Sequence, residues 1–461
     1  DSLEKNQTYI FNIGTGVKDL RGNTLPQPVV VPFSTGPQID HGTISGTLYG
    51  AKKTEGMLIY AYEISDTFTV QSVFKYPPRY YTQVGKEGKF TLPYLRPARY
   101  RVFVLEDNNL DRTYTLQTDR IGIPVKDIVL DSINSQFPGL SFRLIKEDTA
   151  GAELVRVDTL HRQLFVIGFS ELLDQAQGFH ITILDSQSRK PLPAIATVLN
   201  TEEPGRLWVF TKPQQPVLYQ GRIAAVRDTA GNVSDSNGIE FRFFGASHPD
   251  TAKPRLIKII PDSSEKDVRY DAHIKLQFTH PVDSASLAES FSLTGEDRVP
   301  VKGHWKFSSL MNPEFLPDTL LPFGAALDLK IDLKILKTIF GRAFGDSIFE
   351  SSFHTVDYAE LGEIAGKVTA ADTFYKKAII TAIEESGRGA YRTTTEPGKP
   401  YLLTFLPDGR YRMQCGIDIN QNGVIDRGST IPFKFAEPFI VLPDTVKVRK
   451  RWTTEGINIR F

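Results

Sequence analysis

Apolar and polar side chains alternate with a period of two residues through almost the whole chain, and that period restricts it to strands. Tyr100-Arg101-Val102-Phe103-Val104-Leu105 and Gln163 to Phe169 show it. So does His273-Ile274-Lys275-Leu276-Gln277-Phe278, which puts Ile274, Leu276 and Phe278 on one face. Gly, Pro, Asn and Asp interrupt the runs at short intervals, supplying the turns that hairpins need. Helical spacing is confined to Ser284–Phe291 and an ambiguous stretch from Leu327 to Thr338. The expectation is an all-β protein. Composition agrees, since 30 Phe and 17 Tyr against 3 Met suit cores built between pleated sheets.

At roughly 150 residues per domain, 461 residues make about three domains, or more if each is a small sandwich. Lys+Arg and Asp+Glu number 54 each, a net charge of +0, which removes the basic footprint of nucleic-acid binding. No apolar stretch reaches the roughly 20 residues of a membrane-spanning helix. A single cysteine excludes an internal disulfide, and no Cys/His cluster has zinc-binding spacing. The eight His form neither H-x-H nor H-E-x-x-H, and there is no G-x-S-x-G elbow, P-loop or dinucleotide fingerprint. Cys415, on an expected strand, reads as a buried and inert thiol. Paired carboxylates for glycoside hydrolysis leave no sequence signature. Small sandwiches seldom leave a deep cleft, however, so the chain is read as non-enzymatic.

The chain also repeats itself. Phe33-Ser34-Thr35 returns as Phe353-His354-Thr355 and Ile44-Ser45-Gly46 as Ile364-Ala365-Gly366, offsets of 353 − 33 = 320 and 364 − 44 = 320. Leu95-Arg96-Pro97-Ala98-Arg99-Tyr100-Arg101 returns as Leu406-Pro407-Asp408-Gly409-Arg410-Tyr411-Arg412, offset 406 − 95 = 311. Asp107 and Asn109 return as Asp418 and Asn420 at that same 311. Copy one therefore holds 320 − 311 = 9 extra residues, expected near Asp66 to Tyr81.

These landmarks resemble two families. Ile260-Pro261, the strand Ile274–Phe278 followed by Pro281-Val282, and Phe353-His354-Thr355 make the stretch from Pro254 similar to a bacterial Ig-like domain of the surface-layer type. The I-x-G strands, Gly88-Lys89-Phe90 and the Leu95–Tyr100 turn resemble transthyretin-like sandwiches of carboxypeptidase regulatory domains, with Ala98 in place of the usual Gly. In copy two Tyr401-Leu402-Leu403 is a poor G-x-F strand. The implied order is the C-terminal part of an Ig-like domain (1–37), a transthyretin-like sandwich (38–135), a divergent Ig-like domain (136–248), an Ig-like domain (249–357) and a second transthyretin-like sandwich (358–461). Linkers are expected near 37–41, 131–140, 246–253 and 356–361, short enough to hold an elongated tandem array semi-rigid. The arrangement is similar to large Ig-like lipoproteins of Gram-negative outer membranes. That implies an extracytoplasmic scaffold with envelope or outer-membrane protein partners, and a membrane link only through a lipid anchor upstream of Asp1. A glycan-binding or adhesion module at the cell surface is the alternative.

Two segments carry site chemistry. In Asp418-Ile419-Asn420-Gln421-Asn422-Gly423-Val424-Ile425-Asp426, oxygens of Asp418, Asn420, Asn422 and Asp426, with the Val424 carbonyl, can converge on Ca²⁺ around the turn at Gly423. Position 12 is Ser429, not Glu, and no helices flank the loop, so a hairpin of plain turn chemistry is the other reading. No other cofactor is expected. In copy one, Asp107-Asn108-Asn109-Leu110-Asp111 has Arg112 at the Gly position. The second segment, Phe74-Lys75-Tyr76-Pro77-Pro78-Arg79-Tyr80-Tyr81, offers Tyr76, Tyr80 and Tyr81 as contacts for a sugar or protein partner, or as rings folded over their own sandwich.

Overall fold

Why a glycine must follow the isoleucine of each I-x-G strand is visible at once in the computed structural model. A Cβ on Gly46 would lie 2.2 Å from the Leu140 carbonyl oxygen, and one on Gly366 would lie 2.0 Å from that of Ile457. In both places another segment of backbone crosses where a side chain would stand, while Ile44 and Ile364 beside them are fully buried. The described residues are 3–461 apart from 55, 66–67, 175–177, 200–202, 204, 225, 236 and 388. The fold is all-β, a tandem set of sandwiches; among the described residues the α-helix is Ser284–Ser290 alone, capped by Asp283, which accepts the Ser286 N–H at 2.9 Å. The ambiguous stretch from Leu327 resolves as the strand Ala326–Asp332.

The chain forms two compact units, one of residues 1–148 with 361–461 and one of residues 149–360. Sequence order is therefore not packing order: the two repeat copies share a unit, and the intervening residues make another.

Copy one faces a sheet ordered Gln136–Arg143, Gly42–Tyr49, Lys89–Leu95 against one ordered Tyr80–Gln83, Leu58–Glu63, Ala98–Glu106, Arg120–Gly122, with Ile128–Leu130 also on Ala98–Glu106. Copy two repeats this. Pro400–Pro407, Leu361–Thr369 and Thr453–Thr454 face Ala390–Thr395, Ala378–Glu384, Gly409–Ile417 and Phe439–Val448. In each copy a late strand runs parallel to the I-x-G strand. Gln136–Arg143, expected to open the next domain, thus closes copy one. Pro138 and Gly139 disguise it as linker, and they fall in a register shift between Phe137 and Leu140.

The shared L-x-x-x-R-Y motif also has a physical cause. Tyr100 and Tyr411 are fully buried, and each donates its hydroxyl hydrogen at 2.8 Å to the carbonyl four residues earlier, of Arg96 and Pro407. Ala98 is tolerated because a Cβ at the equivalent Gly409 would meet nothing nearer than the Glu384 Oε1 at 3.5 Å.

The second unit holds two sandwiches of the same plan. Phe165, Ile167 and Val209 of one sheet pack on Phe241 and Phe243 of another, with Phe165 and Phe243 stacked at 4.2 Å. Further along, Ile274, Leu276 and Phe278 are buried against Leu327, Leu329 and Phe353, as their alternation requires. The N-terminal ribbon Thr8–Ile13 and Val29–Ser34 has the register of Ala326–Asp332 and Ile348–His354, but Phe11 is 67% exposed where Leu329 is 1%.

Candidate functional site

The two acidic loops have one backbone plan. Asp107 Oδ2 accepts the Arg112 N–H and Asp418 Oδ2 the Gly423 N–H, each at 2.9 Å. Asn109 Oδ1 accepts from Asp111 N at 3.2 Å, as Asn420 Oδ1 does from Asn422 N at 3.0 Å. Leu110 and Gln421 share a left-handed φ of 61° and 59°. Arg112 also sits at φ 64°, where Gly423 takes 87° without the Cβ penalty.

A second acid closes each loop, and its role could not be seen in the sequence. Fully buried Asp119 accepts Asn108 N at 3.0 Å and Thr115 N at 2.8 Å. Glu437, 5% exposed, accepts Ile419 N at 2.6 Å, Asn420 N at 3.3 Å and Asp426 N at 2.9 Å. These acids do one job from different spacings, 119 − 107 = 12 and 437 − 418 = 19 residues past the loop aspartate, so no repeat offset connects them. The difference is a hairpin, Ser429–Thr430 with Phe433–Lys434, that copy two alone carries there.

The five residues expected to ligate calcium do form one loop, but its donors are its own. Asn420 and Asn422 aim their amide nitrogens at Asp426 Oδ2, at 2.6 and 3.2 Å, and Asn422 Oδ1 accepts the Val424 N–H at 2.9 Å. Asp418 is fully buried, and the Lys377 ammonium lies 2.9 Å from its Oδ2. Burial alone would raise the Asp418 pKa; Lys377 and the Gly423 and Asn422 amides outweigh it and hold the carboxyl below its ordinary value. The arrangement suits a self-closed turn whose cation is a lysine, and a metal ion at Asp418 would have to displace that ammonium.

The inserted hairpin is what copy one meets. Glu147 accepts the Thr430 N–H at 2.6 Å, the Thr430 hydroxyl, and the Tyr114 hydroxyl at 2.9 Å. Ala436 N donates to the Pro124 carbonyl at 3.0 Å. The Arg101 guanidinium, clamped by both oxygens of Asp127 at 2.6 and 2.8 Å, lies 4.3 Å from the Phe433 ring and 5.0 Å from the Phe435 ring. Arg143 covers Phe439 at 4.1 Å and hydrogen-bonds Gln414. Desolvated cation–π contacts of this kind contribute up to about 2 kcal/mol each. Ala436 thereby enters a cluster with Tyr60, Tyr62, Phe103, Tyr114 and Ile121 on the outer face of a copy-one sheet.

Of the proposed contact tyrosines, Tyr80 is a correction. It is 3% exposed and packs edge-on against Tyr100 at 5.8 Å, because alternation in Tyr80–Gln83 turns it inward and Tyr81 outward. Tyr76 and Tyr81 are 65% and 37% exposed, and Phe74 folds back onto Tyr114 at 5.2 Å. Asp66 and Thr67, at the start of the expected insertion, lie outside the described residues. Cys415 is buried and its thiol pKa is pushed up to about 12 by desolvation, which keeps it unreactive. In the second unit Asp250 Oδ2 joins His280 Nε2 at 2.8 Å and Arg342 Nη1 at 3.1 Å, tying the segment before Leu256–Ile260 to two loops.

Residues 250–353 match the bacterial Ig-like domain family. No curated protein matches the chain. Among solved structures, surface layer protein SbsC, domains 4–9, is 9% identical, covering 96% of this chain and 65% of that one, with a TM-score of 0.20. CopC from Methylosinus trichosporium is 12% identical over 23% of this chain and 94% of its own, TM-score 0.18. The BSP domain of a biofilm associated protein is 8% identical over 97% and 96%, TM-score 0.14. None of these three likenesses carries an argument about function.

Proposed function

We propose that the chain is a non-enzymatic scaffold of the bacterial cell envelope, a lipoprotein subunit of an outer-membrane protein complex anchored upstream of Asp1, that presents sandwich surfaces to protein partners. The observation that carries this reading is the lock between the repeat copies. Glu147, Arg101 and Arg143 of copy one bind Thr430, Phe433 and Phe439 of copy two, holding segments more than 250 residues apart as one unit. A fold that devotes charged and aromatic groups to fixing its own modules is suited to bearing and positioning neighbours. The bacterial Ig-like domain at 250–353 supports the extracytoplasmic setting.

Affinity capture from native membranes tests it. A stoichiometric envelope protein retained by the full chain is the expected result, and a chain recovered alone would overturn the reading. The exposure of Tyr76 and Tyr81 beside Pro77 and Pro78 favours a second reading, glycan binding, which predicts retention on a glycan array that a Tyr81→Ala variant loses.

A further inference from the structure

The linker expected near 246–253 is fixed at both of its ends. On the sandwich before it, His248 Nε2 donates to the Leu160 carbonyl at 2.8 Å, and Arg162 N donates to the His248 carbonyl at 2.9 Å. On the sandwich after it, Asp250 holds His280 and Arg342, and Arg342 reaches on to the Ala252 carbonyl at 2.5 Å. Beside this polar joint the two sandwiches meet through apolar groups, Leu164, Val198 and Phe210 of the first with Met311, Ile339 and Phe340 of the second. A cavity of about 310 Å³ lies where the polar and apolar parts adjoin, lined by His161, Trp208, Phe210, His280, Phe340 and Arg342 among others.

His161 stands at the centre of this joint as a neutral ring. Its Nδ1 accepts the Gln163 N–H at 3.3 Å, so the nitrogen that would take a second proton already faces a donor. Charged and titratable groups approach it from each neighbouring segment: Arg162 in its own hairpin, His248 and Asp250 in the linker, His280 just after Ile274–Phe278, and Arg342 in the turn before Ile348–His354. Asp250 is the one carboxylate among these, and His280 and Arg342 already share its Oδ2. A proton on His161 therefore brings positive charge to a joint whose single negative charge is taken. Burial pushes the His161 pKa down, and the upward pull of Asp250 is outweighed once His280, His248 and Arg342 are added.

We infer that the joint between the two sandwiches of residues 149–360 is an acid-sensitive hinge, closed while His161 is neutral and loosened when His161 takes a second proton. The sign follows from linkage. With its folded pKa below the ordinary value near 6.5, His161 contributes fully to the closed joint above that pH, and the contribution is lost as pH falls through the folded value. The apolar contacts do not titrate, so acid loosens the joint and leaves both sandwiches folded. The hinge goes beyond the scaffold reading and does not depend on it.

The test is acrylamide quenching of Trp208 fluorescence in the full chain carrying Trp305→Phe and Trp452→Phe, which leaves Trp208 as the sole indole. From about pH 7.5 to about pH 5 the quenching constant should rise about twofold, with its midpoint below the ordinary histidine value, while far-UV circular dichroism stays unchanged. His161→Gln and His161→Asn, which can accept the Gln163 N–H but take no proton, should each hold the neutral-pH value throughout. A quenching constant that does not change with pH would overturn the inference. So would an equal rise in whichever of the two His161 variants circular dichroism shows to be folded.

Discussion

Copy one and copy two build the same acidic turn, yet they balance it differently. Copy two fills it from within, by Lys377 on Asp418 and by Glu437 on three amides. Copy one has Gly56 at the lysine's place in the strand register and the shorter Asp119, which reaches two amides, and leaves an oxygen of Asp107 unmatched. The residues copy two adds between its turn and its closing acid become the hairpin that grips copy one. Duplication kept the turn and let its surroundings diverge, one copy becoming the clamp and the other the clamped.

The closing acids should give the largest effects. Glu437→Ala removes a buried carboxylate that serves three backbone N–H groups and is expected to cost about 3 kcal/mol, with Asp119→Ala nearer 2, in urea unfolding. Equal losses would break the comparison. Next comes Lys377→Ala, expected to cost about 1–2 kcal/mol, discounted because the lysine side chain is 31% exposed. Its pH dependence is a sharper sign. Asp418 has a depressed folded pKa, so its contribution is complete above the ordinary carboxylate value near 4 and is lost as pH falls through the folded value. Removing Lys377 raises that folded pKa toward the unfolded value, so the variant should lose less stability than the wild type as pH falls below about 4, and the two melting temperatures should converge in acid.

Backbone strain separates the loops by a smaller amount. Arg112→Gly should stabilise copy one and Gly423→Ala destabilise copy two, each by about 1 kcal/mol, since both positions need a left-handed φ. The smallest effect concerns calcium. A bound ion at saturating concentration would raise melting by a few degrees. Because Lys377 already neutralises Asp418, millimolar Ca²⁺ and EDTA should give the same melting curve in the wild type.

Much of this was legible in the residues. Period-2 runs marked the strands, and the I-x-G and L-x-x-x-R-Y matches marked two copies, because close backbone approach at Gly46 and the hydrogen bond of Tyr100 demand a glycine and a tyrosine there. The acidic turn was legible as a turn. Asp119 and Glu437 were not, since a buried acid serving amides has no fixed spacing from them. Tyr80 misled because Tyr80-Tyr81 looks like a pair until strand alternation sends one ring each way. The pairing of first and last sandwiches was invisible, because no pattern in a sequence says which distant surface an arginine such as Arg101 will cover.

Hydrogen exchange on the full chain carrying Phe433→Ala tests the lock between the copies most directly. The account predicts faster exchange at residues 114–124 of copy one, which face the hairpin through Tyr114, Ile121 and Pro124, although the substitution lies more than 300 residues downstream. Faster exchange confined to residues near 433, with 114–124 unchanged, would contradict it.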